Sequence, residues 1–528
     1  MNIKRAKEEI KNTIEAYLLK DENGEYAIPS IRQRPVLLIG PPGVGKTQIM
    51  EQISRECRIG LVAYTITHHT RQSAVGLPFI EKKMFGGREY TVTEYTMSEI
   101  VASIYNMIEE TGLKEGILFI DEINCVSETL APTMLQFLQC KTFGSHRIPE
   151  GWIIAAAGNP PEYNKSVREF DVVTLDRIKR IDVEPDLGVW KEYAYKENIH
   201  PAIISYLGIK GQNFCHIETT VDGKLFATPR GWEDLSELIL VYEKLEKRAD
   251  RDVIGQYIQH PRIAKDFANY LELYYKYQNQ YQVDQILEGI IREDLCDKVA
   301  RASFDERLSV TGLLLSKLAD GFKGMFMENQ VMELLMVQLK AFRQELEPGE
   351  EPGEEPRAEM RVKPGAEARI ETRIEARTEK RPDEVLRHLI DSMEAERVRK
   401  KKSGLLGRQE DRINRRCMTV MEGLVKQMQS GTITGKDEAW QWVRGEFMSR
   451  SDAYEELKKE LGLKLEHAFD FMEAAFGNGQ EMVIFVTELN TSQACVWFLE
   501  QYECERYYQY NKELLFDEQE QAIRKLVE

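Results

Sequence analysis

Pro35-Val-Leu-Leu-Ile-Gly-Pro-Pro-Gly-Val-Gly-Lys-Thr47 runs from four apolar residues into a glycine-rich turn closed by Lys-Thr. It fits the G-x-x-x-x-G-K-[ST] phosphate loop at every fixed position. Gly40, Gly43 and Gly45 allow the backbone to curl until several N–H groups face one anion, and the helix that follows adds its positive end. Pro41, Pro42 and Val44 complete the loop. Lys46 then reaches the β- and γ-phosphates, and the Thr47 hydroxyl ligates Mg2+. A Gly/Pro turn that binds nothing is the alternative. The strand Val36–Ile39 before the loop and the helix 47–58 after it stand where phosphate binding needs them, which disfavours that alternative.

Outward from this loop, short apolar runs alternate with helical stretches as far as residue 184. The runs are Val36–Ile39, Ile59–Tyr64, Ile117–Ile120, Trp152–Ala157 and Ile178–Val183. Such alternation predicts a five-stranded parallel sheet with helices on both faces. One crossover is interrupted by two β-rich segments between Phe79 and Val92, joined at Gly86-Gly87, which predict a hairpin insert at about 76–98 ahead of a helix over 98–110.

The second strand pair supplies acid chemistry. Gly116-Ile-Leu-Phe-Ile-Asp-Glu122 is a buried strand ending in two carboxylates. Asp121 is positioned to hold the magnesium shell beside Thr47, and Glu122 to polarise the attacking water. Trp152-Ile-Ile-Ala-Ala-Ala-Gly-Asn159 ends a third strand in an amide able to orient that water. Leu175-Asp-Arg177-Ile-Lys-Arg180 precedes the fifth strand. Thr228-Pro229-Arg230 opens a helix, with Thr228 as cap and Pro229 in the first position. Neither arginine would stand out alone.

Taken in order, Gly40–Thr47, Asp121-Glu122-Ile-Asn124, Asn159, Leu175-Asp-Arg177 and Pro229-Arg230, with a hairpin after the second strand, resemble the AAA+ ATPases of the MoxR-like group, in the helix-2-insert clade. The resemblance spans about residues 30 to 245. It implies ATP and Mg2+ as ligands, with Lys46 and Thr47 as Walker A, Asp121 and Glu122 as Walker B, and Asn159 as sensor 1. It further implies Arg230 as sensor 2 and Arg177 as a finger entering the neighbouring subunit's site, Arg180 being its rival. A hexameric ring acting on a client protein is implied by the same resemblance, as is a client carrying a von Willebrand A domain. Two departures stand out: Ile178 occupies a position commonly aromatic in the group, and the acidic extension beyond 346 has no counterpart in its minimal members.

The 528 residues carry a net charge of −17 and a pI near 5.3, which argues against a general nucleic-acid coat. Eight cysteines lack any metal-ligand spacing and read as reduced thiols. Without a signal peptide or an apolar run of membrane length, the expectation is a cytoplasmic chain with no membrane span. Four regions are expected: 1–184, the nucleotide-binding α/β domain; 185–345, a helical lid and extension; 346–383, a disordered Pro/Glu/Arg-rich linker; and 384–528, a helical C-terminal domain.

Several features carry weaker readings. His68-His69 are read as structural or solvated, and Thr65 or Thr67 as a tether for Glu122. The run Arg397–Lys402 reads as a solvated helix end, and Tyr502, Tyr507, Tyr508 and Tyr510 as a packed face. Loop 141–147 and the tip Met84-Phe85-Gly86 are nominated as exposed client contacts. The competing functions are a nucleic-acid-dependent motor and a nucleotide-gated scaffold with incidental turnover.

Overall fold

The computed structural model describes all residues except 69–73, 75, 144–145, 164–166, 168–169, 222, 347–380, 432, 434 and 513–528. The expected linker at 346–383 therefore falls almost wholly outside the described residues, as does the side chain of His68 and all of His69. The strands are β1 (Val36–Ile39), β2 (Gly60–Thr65), β3 (Pro78–Phe85), β4 (Arg88–Tyr95), β5 (Gly116–Asp121), β6 (Thr142–Phe143), β7 (His146–Arg147), β8 (Trp152–Gly158), β9 (Lys179–Asp182), β10 (His216–Thr220) and β11 (Gly223–Ala227).

Five of them make the anticipated parallel sheet, in the order β2-β5-β8-β1-β9. Alternation along β1 sorts its side chains between two cores. Val36 and Leu38 join Phe119, Ile153 and Ile181 under the helices Ile3–Leu18 and Lys46–Cys57, which contribute Ala6, Ile10, Ile14, Ile49 and Ile53. Leu37 faces the other way, with Leu118, Ile120 and Ile154, beneath the helices Glu99–Thr111 and Ala131–Cys140. All seven residues of the central β8 are buried, as a strand covered on both faces requires. Each large aliphatic side chain so buried contributes about 1.5–3 kcal/mol.

The β3–β4 hairpin pairs residue by residue from Pro78↔Tyr95 to Phe85↔Arg88, and at its open end it extends one residue before Phe79 and three beyond Val92. Most of it is exposed, including Ile80 at 76% and Met84 at 65%. The nominated loop 141–147 is different and must be corrected. Phe143 is fully buried and stacks on Phe137 with ring centroids 3.7 Å apart, and Lys141 is buried too, so the loop's aromatic side chain belongs to the core and offers a client no apolar contact, while Arg147 is exposed.

Residues 185–345 are not helical throughout. The antiparallel β10–β11 hairpin interrupts them, built from the β-branched Ile217, Thr219 and Thr220, with Gly223 at φ +138° opening the return strand.

The chain divides into two compact units. The first comprises Met1–Gly324, Lys400–Gly407 and the chain from Lys459 onward; the second comprises Met325–Arg399 and Arg408–Lys458. Residues 384–528 thus contribute to both. The second unit has its own apolar core, in which Val331, Leu335, Leu339 and Phe342 meet Val385, Leu386, Met421 and Val443. Within it, Arg397 is held by Glu394 at 2.7 Å and by Asp411 at 2.6 Å, so the first member of the basic run is committed to intrachain ion pairs. Among the described residues, no single helix is long and apolar enough to cross a membrane.

Candidate phosphate-binding site

In a parallel sheet every strand delivers its C-terminal end to the same edge, where open α/β folds gather their polar groups. Here β5, β8 and β1 are consecutive neighbours, so Asp121, Asn159 and Gly40 emerge side by side. The loop after β1 can turn because Gly43 (φ +81°) and Gly45 (φ +91°) adopt left-handed backbone. Gly40 must also lack a side chain, since a Cβ there would lie 2.6 Å from the Val183 carbonyl oxygen. Gly45 then caps the helix Lys46–Cys57, whose first N–H groups face the loop.

Lys46 is buried and points back across the loop. Its Nζ donates to Gly40 O and Pro41 O, both at 2.8 Å, and to Asn159 Oδ1 at 3.0 Å. Burial pushes this ammonium down to about 8, and Arg230 pushes in the same direction, while Asp121 and Glu122 oppose the shift. Thr47 Oγ1 donates to Asp121 Oδ2 at 2.9 Å. The other Asp121 oxygen accepts from the Glu122 backbone N–H at 2.8 Å, which helps to hold Glu122 in a left-handed turn at φ +56°. A non-glycine residue in that region stores strain.

Two neighbours refine this geometry. Thr67 Oγ1 donates to Glu122 Oε2 at 3.1 Å, so the tether considered above lies at Thr67, whereas Thr65 is the last residue of β2 and pairs with Asp121. Asn124 Nδ2 donates to the Asn159 carbonyl at 2.8 Å and fixes that backbone. Its Oδ1 has no hydrogen-bond partner among the described residues and lies where a Cβ on Gly158 would stand 2.5 Å away. Gly158-Asn159 is thus a close approach, which sequence spacing does not disclose.

The two arginines at the start of β9 behave differently. Arg180 lies on the strand itself, pairs in register with Leu37, and is bound by Asp182 at 2.8–2.9 Å. Arg177 precedes the strand, is exposed, and donates to Gln139 Oε1. Because Lys179 pairs with Val36, Arg177 sits at the N-terminal edge of the sheet. At ~3.3 Å per residue, the start of β9 at Lys179, two residues after Arg177, is roughly 13 Å from Gly40 along the strand axis. Arg230 is adjacent to the loop, its Cβ and backbone N only 3.1 Å from where a Gly43 Cβ would stand. Thr228 caps that helix by accepting from Gly231 N at 3.2 Å. The structure therefore brings Lys46, Thr47, Asp121, Glu122, Asn159 and Arg230 together and leaves Arg177 apart.

A strand–loop–helix of this kind on this sheet defines a phosphate-loop nucleotide-binding domain. Residues 36–175 match the family described as "ATPase family associated with various cellular activities (AAA)", so the sheet and its loop form an AAA domain. No curated protein matches the chain. Similar solved structures include the RuvB Holliday junction branch migration motor of Thermotoga maritima, 15% identical over 49% of this chain and 69% of that chain, with a TM-score of 0.27. Two single-residue variants of that protein are 15% and 16% identical, over 48% and 49% of this chain and 69% of each of theirs, with TM-scores of 0.28 and 0.26. The assignment rests on residues 36–175.

Proposed function

We propose that this chain hydrolyses ATP to ADP and phosphate at the loop 40–47 and uses the turnover, as a MoxR-like ring, to remodel or assemble a partner protein. The observation that carries the catalytic part is the 2.9 Å bond between Thr47 Oγ1 and Asp121 Oδ2 beside the Lys46 ammonium. Those two hard oxygen donors fit Mg2+, which they would hold, and the ion would neutralise charge on the β- and γ-phosphate oxygens.

The chain's own groups supply the rest. Lys46 exchanges three neutral acceptors for anionic phosphate oxygens, a gain because its ammonium then meets a full opposite charge in a water-poor site. Glu122 accepts a proton from the attacking water once its carboxylate leaves Thr67, and Asn159 orients that water. Arg230, at the start of the lid helix Pro229–Lys244, reaches the phosphates from above the loop. Arg177 cannot reach its own chain's site across the sheet. It serves the site of an adjacent copy, which is the reason for proposing a ring, hexameric by the resemblance. The apolar tip Met84-Phe85 on the exposed β3–β4 hairpin supports contact with a client, for which a von Willebrand A domain protein is the family-based suggestion.

The test is phosphate release by the full chain with ATP and Mg2+. Glu122→Gln should lower turnover about 10²–10⁴-fold and still retain bound ATP. Undiminished turnover would remove Glu122 from the chemistry. Strong stimulation by DNA, with steep salt dependence, would replace partner-protein remodelling by a nucleic-acid motor.

A further inference from the structure

The hairpin that leads into Arg230 carries a second set of donor atoms, unrelated to nucleotide. His216 and Glu218 are two apart on β10 and therefore project from the same face. His260 is the buried residue that caps the helix Pro261–Tyr281. The backbone ties these two elements together, since Phe226 N donates to Gln259 O at 3.1 Å. One donor atom from each of His216, Glu218 and His260 lies within 4.8 Å of the others. The His216 and His260 rings meet edge to face at 5.2 Å, and His260 Nε2 is 3.3 Å from Glu218 Oε2.

We propose that His216, Glu218 and His260 form a binding site for one divalent transition-metal ion of the zinc class. Two imidazoles and one carboxylate are a borderline donor set suited to Zn2+, Co2+ or Ni2+, whereas Mg2+ and Ca2+ select oxygen. A tetrahedral shell with bonds of about 2.0–2.1 Å brings its donors to roughly 3.4 Å from one another. Closing the remainder, up to about 1.4 Å, falls on His216 and Glu218, which stand on an accessible hairpin face, while His260 stays fixed. Coordination through His260 Nε2 puts its proton on Nδ1. That sacrifices the long 3.5 Å contact from Ile263 N and replaces the 3.3 Å hydrogen bond between His260 Nε2 and Glu218 by a shared ion. Three protein ligands leave at least one position for water.

A sister arrangement in the same unit isolates what makes this site different. His200 also caps a helix, accepting from Ala202 N through Nδ1 at 3.2 Å, with Nε2 3.0 Å from Glu243. There the ring neighbour is Tyr274, and Glu243 also accepts from the Tyr275 hydroxyl at 2.9 Å. A capping histidine with a carboxylate is thus a structural device at His200. Among the described residues, only at His260 does a second imidazole, His216, join the capping histidine and carboxylate. An ion there would rivet β10 to the turn before the helix 261–281. Its partner strand β11 leads within three residues to Arg230.

The proposal is tested on the full chain, stripped of metal and held in excess Mg2+. Co2+ is titrated while its visible ligand-field bands are followed, and Zn2+ is titrated by calorimetry. One equivalent of Co2+ should develop the bands and one equivalent of Zn2+ should erase them. His216→Ala and Glu218→Gln, both on the accessible hairpin, should each weaken Zn2+ at least about tenfold. Added Zn2+ should also slow amide exchange across residues 216–227 in the wild type and not in His216→Ala. Absence of stoichiometric binding by the wild type, or unchanged affinity in both variants, overturns the site.

Discussion

The Lys46 ammonium should make nucleotide affinity fall with pH over a range in which the fold grows more stable. Burial holds its pKa at about 8, against 10.5 for an exposed lysine. About nine-tenths of the amine is then charged at pH 7 and about one-tenth at pH 9, and only the charged form is held by phosphate oxygens. Bound phosphates raise the pKa again, so the affinity for a non-hydrolysable ATP analogue should weaken about tenfold between those pH values, close to 1.4 kcal/mol. Stability moves the other way. Between about pH 8 and 10.5 the unfolded chain holds a proton on Lys46 that the folded chain has released, so unfolding free energy rises with pH, by about 3 kcal/mol at most. Calorimetric titration with the magnesium-bound analogue at pH 7 and 9, alongside urea melts at several pH values, reads both trends. Lys46→Met should bind weakly at either pH and lose this contribution to both slopes. Constant wild-type affinity over the range, or an equal slope in Lys46→Met, would refute the reasoning.

Other perturbations follow from the same geometry. Gly43→Ala places a Cβ at φ +81° and 3.1 Å from Arg230, so a stability loss of about 1–2 kcal/mol and at least tenfold weaker nucleotide binding are expected; unchanged melting and affinity would contradict the close approach. Thr67→Val removes the hydroxyl that holds Glu122 at 3.1 Å. With a net hydrogen bond worth about 1 kcal/mol, basal phosphate release should rise by up to about fivefold, and an unaltered rate would show that the contact restrains nothing.

Much of this was legible in the chain because the deciding signals are local. Val36–Ile39 followed by three glycines and Lys-Thr specifies strand, loop and helix within a dozen residues, and five such apolar runs suffice for the sheet. The β10–β11 hairpin was overlooked for a physical reason. Its strands are only five residues each and lie between the helices Pro201–Ile209 and Pro229–Lys244, although Ile217, Thr219, Thr220 and Gly223 carried the signal. Loop 141–147 misled because Phe143 reads as an exposed aromatic until Phe137 is known to stack on it. Arg180 stood as the rival of Arg177 because the two are close in sequence; on the strand its side chain is instead bound by Asp182. The Thr67–Glu122 contact, one of two tethers the sequence offered, and the unforeseen Asn124–Asn159 contact span 55 and 35 residues, so no periodicity could choose the first or report the second. The long helices Phe304–Leu346 and Lys436–Phe476 each contribute to both compact units, a division that helical periodicity cannot express.

The central claim is that one chain holds the triphosphate while another copy's Arg177 completes the site, and mixed subunits test it directly. Lys46→Ala and Arg177→Ala, each inactive alone, are combined at varied ratios and phosphate release is measured. Activity that returns in the mixture and peaks at intermediate ratios is the predicted result; no recovery at any ratio would contradict it.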